Sequence, residues 1–520
     1  MSAIITDQIR ILNAKNFVSG VSSSGNSYYS FIGLVNPTDI QSDWDTNPPS
    51  PKDSFDEENN YWDTMVALKR INANDVRQVV PKRFWSSGTA YDYYRHDYSR
   101  SNVAPISGAT NLYSASYFVI NSDYRVYICL ENGTNPDNPQ GKPSLDEPTF
   151  TDLEPRAAGS SGDGYVWKYL YTIKPSEVVK FESLDFIPVP QDWSTSLDNS
   201  AVRDNAVDGS LKTVIITDRG IGIGTANSTY TRVPIKGDGV GGECTIVVNN
   251  DAQVESITVS SQGSNYTYGN VDLVAGGVPT GTRIPKFNVM ISPKGGHGYD
   301  IYRELGAYNV LLYSRIENDS QNPDFITGNQ IARVGIVENP TSFSSNQNLT
   351  VEKASALPAL RLTGLGFSES VLPADSLISQ TVSTGVTAYG RVVSYNQTTG
   401  VLKYWQDRSL AGFTTVGVAQ TNPTYNYDLV EFTSSPSTGG SLIILNNNLS
   451  GLVNLSISTS FSGISTVINN RTYYLGQEFT NGVSLPEVKK YSGNIIYVDN
   501  RPSITRSSNQ KEDIKVILQF

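Results

Sequence analysis

Histidine and cysteine each occur only twice in this chain of 520 residues, and methionine three times. With His96 and His297 alone, imidazole-based acid–base chemistry has little material. No Gly-x-Ser-x-Gly elbow is present, so a serine hydrolase arrangement has no nucleophile to rest on. His297 sits in Gly295-Gly-His-Gly-Tyr-Asp300, where Asp300 is placed to orient it, but one His–Asp pair supplies too few ligands for zinc. Cys129 and Cys244 are far apart, have no CxxC spacing and lie in apolar runs, which reads as two buried thiols and not a disulfide framework.

Long apolar runs are also missing. Nowhere do the roughly 18 apolar residues needed to span a membrane stand together. Met1 to Ala14 lacks a basic segment followed by an apolar one, so no secretory signal is expected and a cytoplasmic origin fits. Triplets such as Asn132-Gly-Thr and Asn470-Arg-Thr then carry no expectation of glycosylation. Basic runs are absent as well. A formal charge of −11 with acidic residues spread along the chain disfavours nucleic acid and reads as a soluble surface. The Gly237 to Gly242 loop lacks the Gly-Lys-Ser/Thr ending of a phosphate loop, and no Asp-x-Asp-x-Asp-Gly calcium loop occurs. We therefore expect no catalytic residues, no cofactor and no metal. Carboxylate pairs for glycoside hydrolysis stay open, because the fold sets their spacing.

What is abundant is Gly, Ser, Thr, Asn and Tyr, with turn formers recurring every ten or so positions, the texture of many short strands. The length suggests three or four domains at about 150 residues each. In residues 1–205, Tyr28–Gly33 reads as a strand. Asn60 to Ile71 carries Trp62, Met65, Val66 and Ile71 at helical spacing, with Asp56, Glu57 and Glu58 before it and Lys69 and Arg70 at its end, which predicts a helix. A second short helix is expected from Pro175 to Lys180. Gly164 to Ile173 predicts a strand with Tyr165, Trp167, Tyr169 and Tyr171 on one face, either packed against another sheet or forming a stacking platform for sugars or bases. The tyrosine-rich run Tyr91 to Tyr98, which includes His96, reads as an exposed interaction loop.

Residues 206–284 contain a weak repeat: Val214 to Gly220 recurs as Ile257 to Gly263, and Tyr230-Thr231 as Tyr266-Thr267, which predicts one small sandwich or barrel. Residues 285–340 return to longer apolar strands at Phe287–Ile291, Tyr308–Tyr313 and Ile331–Val337. Residues 341–485 change to Ser, Thr, Asn and Gly, with a hairpin expected from Arg391–Tyr395 to Val401–Trp405. Residues 486–520 hold a short helix candidate and two strands, Asn494–Val498 and Ile514–Phe520, with Asn500-Arg-Pro502 as a turn between them.

Several stretches resemble one family. Trp62 followed by Val80-Pro81-Lys-Arg83-Phe-Trp85, then Tyr127-Ile-Cys-Leu-Glu131, Gly162-Asp-Gly164-Tyr-Val-Trp167-Lys-Tyr-Leu-Tyr-Thr-Ile173, Ile331 to Pro340, and Tyr497-Val-Asp-Asn500-Arg501-Pro502-Ser-Ile504 with Glu512 to Phe520 come in the order found in the dimeric baseplate wedge subunit of contractile-tailed, myovirus-type phages. Together they cover residues 15 to 205, 285 to 340 and 486 to 520. The stretches 206–284 and 341–485 depart from it, where shorter relatives have brief connections. The resemblance implies a mainly β protein: a layered β-sandwich core with a few short loop helices and two inserted β modules, the core running through 1–205, 285–340 and 486–520. It also implies a homodimer among other wedge proteins, located in the virion tail, which rearranges on contraction and has no enzymatic activity. Trp62, Pro81, Arg83, Trp85, Gly164, Trp167, Asn500, Arg501 and Pro502 are then expected to be architectural. A tail adhesin or depolymerase that binds or cleaves host surface polysaccharide, with the inserted modules touching the host, is the alternative.

Overall fold

A computed structural model describes residues 6–23, 25–35, 43–321, 323–363, 372–406, 430–437, 442–444 and 456–520. Parts of the 341–485 segment therefore lie outside the described residues. The fold is mainly β, with short helices between many antiparallel strands. The backbone divides into two units, one of Met1–Val18, Val76–Leu311 and Val516–Phe520 and a second of Ser19–Asp75 and Leu312–Lys515.

The first unit is organised on strands buried on both faces. Arg125–Asn132 runs between Phe118–Ile120 and Tyr165–Thr172. Because strand side chains alternate, Val126, Ile128 and Leu130 enter one core with Leu170 and Trp193, while Tyr127 and Cys129 enter another with Tyr91, Tyr165 and Trp167. The aromatic stripe does not keep to one face. A bulge between Val126 and Tyr127 leaves Leu170 unopposed, which sends Tyr171 into the first core while Tyr165 and Trp167 stay in the second.

The repeat segment folds as a four-stranded sheet, in the order Val254–Ser264, Val240–Val248, Thr229–Gly237 and Gly269–Val271. A ribbon of Leu211–Asp218 and Lys286–Ile291 packs on it around Ile223, Val233, Ile246 and Tyr266. The strand at Phe287–Ile291 thus completes the module that precedes it in sequence. Val214, Ile216, Val289 and Ile291 face this small core, while Ile215 and Met290 point the other way, into the cluster around Trp167.

In the second unit, a five-stranded antiparallel sheet has the order Lys353–Ser355, Met65–Ile71, Tyr28–Gly33, Gln330–Glu338, Asn494–Thr505. Tyr28–Gly33 is buried at every position. Tyr29 and Phe31 pack with Trp62, Met65 and Leu68 on one side, and Ile32 with Val66 and Trp405 on the other. Gly335 stands opposite Phe31, whose ring lies where a Cβ at Gly335 would sit. A six-stranded sheet follows, in the order Leu442–Ile444, Leu377–Ser383, Val386–Asn396, Val401–Trp405, Ala359–Arg361, Val483–Ser484. Here too alternation divides neighbours: Val392 and Tyr404 share a core with Leu360 and Phe432, whereas Val393 and Trp405 join the core of the five-stranded sheet.

Several local expectations are corrected. The helix near Trp62 is Phe55–Asp63, and Met65–Ile71 is a strand. Ser54 caps that helix by accepting from Glu57 N at 3.3 Å, with the acidic residues in its first turn. Lys69 and Arg70 belong to the strand. Four consecutive apolar residues between two partner strands need no alternation, so the run imitated helical spacing. Asn500-Arg501-Pro502 is no turn but part of the strand Asn494–Thr505, and residues 486–520 contain no helix. Tyr91, Tyr93 and Tyr94 are buried, not exposed, around Asp92, whose carboxylate accepts from the N–H groups of Ile106 and Ser116 and the Ser116 hydroxyl at 2.8–3.0 Å. The helix Asp7–Val21 went unread, although Ile11, Ala14, Val18 and Val21, its buried residues, stand at helical spacing.

Candidate functional site

The residues singled out in the sequence fall into two groups, one in each unit. In the first unit, Trp167 has no exposed surface and stacks on Tyr165 with ring centres 5.3 Å apart, while Tyr91 meets it edge-on at 5.9 Å. Trp85 is half-buried against the same cluster and donates from Nε1 to Ser144 Oγ at 3.1 Å. Pro81 ends the strand Val76–Pro81, opposite Phe186. Arg83 lies with its guanidinium 4.4 Å above the Phe118 ring and donates to Tyr113 O, and burial pulls its pKa down. Gly164 takes φ +85°, and a Cβ there would stand 2.8 Å from Gly133 Cα, so this turn into the tryptophan strand requires glycine.

In the second unit, Trp62 is fully buried beside Tyr491. The node below it is built on Arg333, a residue the sequence reading passed over. Arg333 is 2% exposed, donates from Nε to Asn500 Oδ1 at 2.9 Å and from a terminal nitrogen to Thr64 Oγ1 at 3.0 Å, and lies 4.7 Å from the Tyr61 ring centre. Asn500 passes the network on to Pro49 O at 3.0 Å. Arg501, Pro502 and Ser503 together stand opposite Ala332 alone, a bulge on an edge strand, the one place in a sheet where a proline costs no ladder bond. Trp44 Nε1 donates to Arg501 O, and Asp45 accepts from the N–H and hydroxyl of Ser503, which lowers its pKa. The signal for Arg333 was present as a cation inside the apolar strand Ile331-Ala-Arg-Val-Gly-Ile.

His297 is buried, and its partner is Glu304 rather than Asp300. Nδ1 lies 2.5 Å from Glu304 Oε1, Glu304 Oε2 accepts from Gly298 N at 2.7 Å, and the Tyr94 ring meets the imidazole edge-on. Asp300 instead caps the helix Ile301–Leu305 by accepting from Arg303 N. His96 is exposed, and its ring accepts from Ile291 N at 3.4 Å. Among the described residues, no group of three His, Cys, Asp or Glu side chains is placed to hold a metal, and no helix is long and apolar enough to cross a membrane. Cys129 and Cys244 are unpaired and buried, which pushes the Cys244 thiol up to about 12.

Among the described residues of the second unit are two open grooves. One, of about 440 Å³, is lined by Asp53, Glu58, Tyr61 and the strand residues Asn494–Val498. The other, of about 400 Å³, lies along Ser394–Asn396 and Arg471–Leu475. Neither is lined by a histidine.

One comparison with a known protein gives a match. Over 230 residues the chain is 25% identical to the baseplate wedge protein gp8 of Enterobacteria phage T4. The match covers 39% of this chain and 64% of that protein, less than two thirds of its length. No family model matches the chain.

Proposed function

We propose that this chain is a structural subunit of a phage tail baseplate, working as a wedge component that holds neighbouring proteins in one arrangement before sheath contraction and another after it. The distant similarity to a baseplate wedge protein carries this reading. The placement of the motif residues supports it: Trp62, Trp167, Arg83 and Asn500, with Arg333 beside Asn500, are spent on packing and on hydrogen bonds to backbone and side chains within their units. Such residues make stiff bodies that move as wholes, which a two-state assembly requires. On this reading the protein is a homodimer with no enzymatic activity, located in the virion. Immunogold labelling of purified tails tests it. Label at the distal end of the tail, with tails from a deletion strain lacking complete baseplates, is expected. Label confined to fibres or absent from virions refutes the proposal.

The depolymerase alternative has one observation in its favour: Asp53 and Glu58 line the same groove. If it holds, purified protein shortens host envelope polysaccharide and Asp53→Asn with Glu58→Gln abolishes the effect. We expect no shortening.

A further inference from the structure

The second groove points to a ligand that the baseplate role does not require. It lies in the second unit along two hairpins, one formed by Val386–Asn396 and Val401–Trp405, the other by Gly463–Ile468 and Arg471–Phe479. The latter is closed by Asn469-Asn470, both at positive φ, the two-residue turn that matches strand twist, so Arg471 sits at the hairpin tip. From the structure we infer that this groove binds an acidic oligosaccharide, through Asn396, Arg471, Tyr473 and Tyr474.

Three features favour that class. Its volume of about 400 Å³ falls in the range of roughly 300–1,000 Å³ usual for small-molecule sites. Half-buried Tyr473 and exposed Tyr474 offer flat rings with a polar end, and the Asn396 amide is exposed beside them. Rigid tyrosines with adaptable amides and hydroxyls match a ligand that alternates C–H faces with hydroxyl groups, at little entropic cost. Arg471 pairs with no carboxylate among the described residues. Its guanidinium is held 5.3 Å from the Tyr473 ring centre, leaving its in-plane donors free for a bidentate carboxylate such as that of a uronic acid.

Lys403, 4% exposed, stands in the groove wall, where its ammonium reaches Pro323 O at 3.4 Å and the carboxylates of Asp324 and Glu487 are near it. Among the described residues no acidic side chain lines the groove, so they offer no carboxylate pair of the kind that cleavage of a glycosidic bond requires. It would bind and release. A nucleotide fits less well, because its phosphates need more exposed cations than Arg471. The acidic surface elsewhere on the chain repels a polyanion at long range, so recognition here is of a short segment at contact distance.

The test uses the full-length protein and two probes, trigalacturonate and the neutral galactotriose, titrated by calorimetry and by saturation-transfer NMR. Wild type is expected to bind the acidic probe more tightly than the neutral one. Arg471→Gln, at an exposed site, should weaken the acidic probe about tenfold and leave the neutral one unchanged. Tyr474→Ala should weaken both. Far-ultraviolet circular dichroism establishes that each variant is folded. No binding of either probe, preference for the neutral one, or binding that survives both Arg471→Gln and Tyr474→Ala overturns the inference. None of these outcomes bears on the baseplate reading, which the virion labelling tests separately.

Discussion

Trp167, Arg333, Asn500 and Glu487 carry predictions that substitutions can check. Trp167 fills a site with no exposed surface between Tyr165 and Tyr91. Trp167→Ala should cost about 3–5 kcal/mol, read as a large drop in melting temperature. Arg333 and Asn500 hydrogen-bond each other where water does not reach. Removing either leaves the other with an unmet group, so a double-mutant cycle of Arg333→Met and Asn500→Leu should give a coupling of about 1–3 kcal/mol, the pair together costing less than the sum of the singles. Glu487 accepts from Ser355 N near Asp324 and Lys403, and burial raises its pKa to about 7. A carboxyl raised on folding is protonated more readily in the native state than in the unfolded chain. Its ionisation penalty is absent below the unfolded value of about 4.3 and complete above about 7, so stability falls across that window as pH rises. Glu487→Gln should flatten this part of the stability–pH curve, as thermal melts between these limits would show. Of these four residues the sequence singled out Trp167 and Asn500. Arg333 was hidden because a lone cation in a strand normally points to solvent, and only the fold brings Thr64 and Asn500 to it.

Among elements, those with a local signature were legible: Tyr28–Gly33 matches its expected bounds, and the hairpin from Val386–Asn396 to Val401–Trp405 contains the expected one. What failed was the reading of runs whose partners are remote. Met65–Ile71 imitates a helix because both its faces are buried, and the Pro502 bulge imitates a turn because its register partner lies at Ala332. The strand Lys286–Ile291 is the instructive case, since its pairing with Leu211–Asp218 cannot be inferred from either sequence alone. It yields a prediction. A fragment of residues 206–291 should show a cooperative thermal transition, and a fragment of residues 206–284, which leaves Leu211–Asp218 without its partner, should not. Equal behaviour of the two fragments would mean that the ribbon is dispensable to the module.

For the molecule as a whole, the mainly β class was legible from composition and turn spacing, whereas the two-unit division was not. Each unit is assembled from segments far apart in the chain, and no composition shift marks residues 18, 75, 311 or 515. The dimer expected of a wedge component predicts a mass near twice 56.7 kDa by light scattering at micromolar concentration. A mass that stays at one chain across that range would remove the homodimer from the proposal.

The central strand of the second unit has a further consequence, for biosynthesis. Tyr28 lies against Glu338, 310 residues later in the chain. At a translation rate of about 5–20 residues per second, the apolar segment Tyr28–Gly33 waits on the order of 15–60 s for that neighbour to leave the ribosome. During that interval one of the most deeply buried stretches of the finished protein is a sticky β-former with one edge open, Met65–Ile71 alone being available to pair its other edge. Its safe delivery falls to chaperones or to speed of elongation, and slowing translation should lower soluble yield before it alters anything in the folded state.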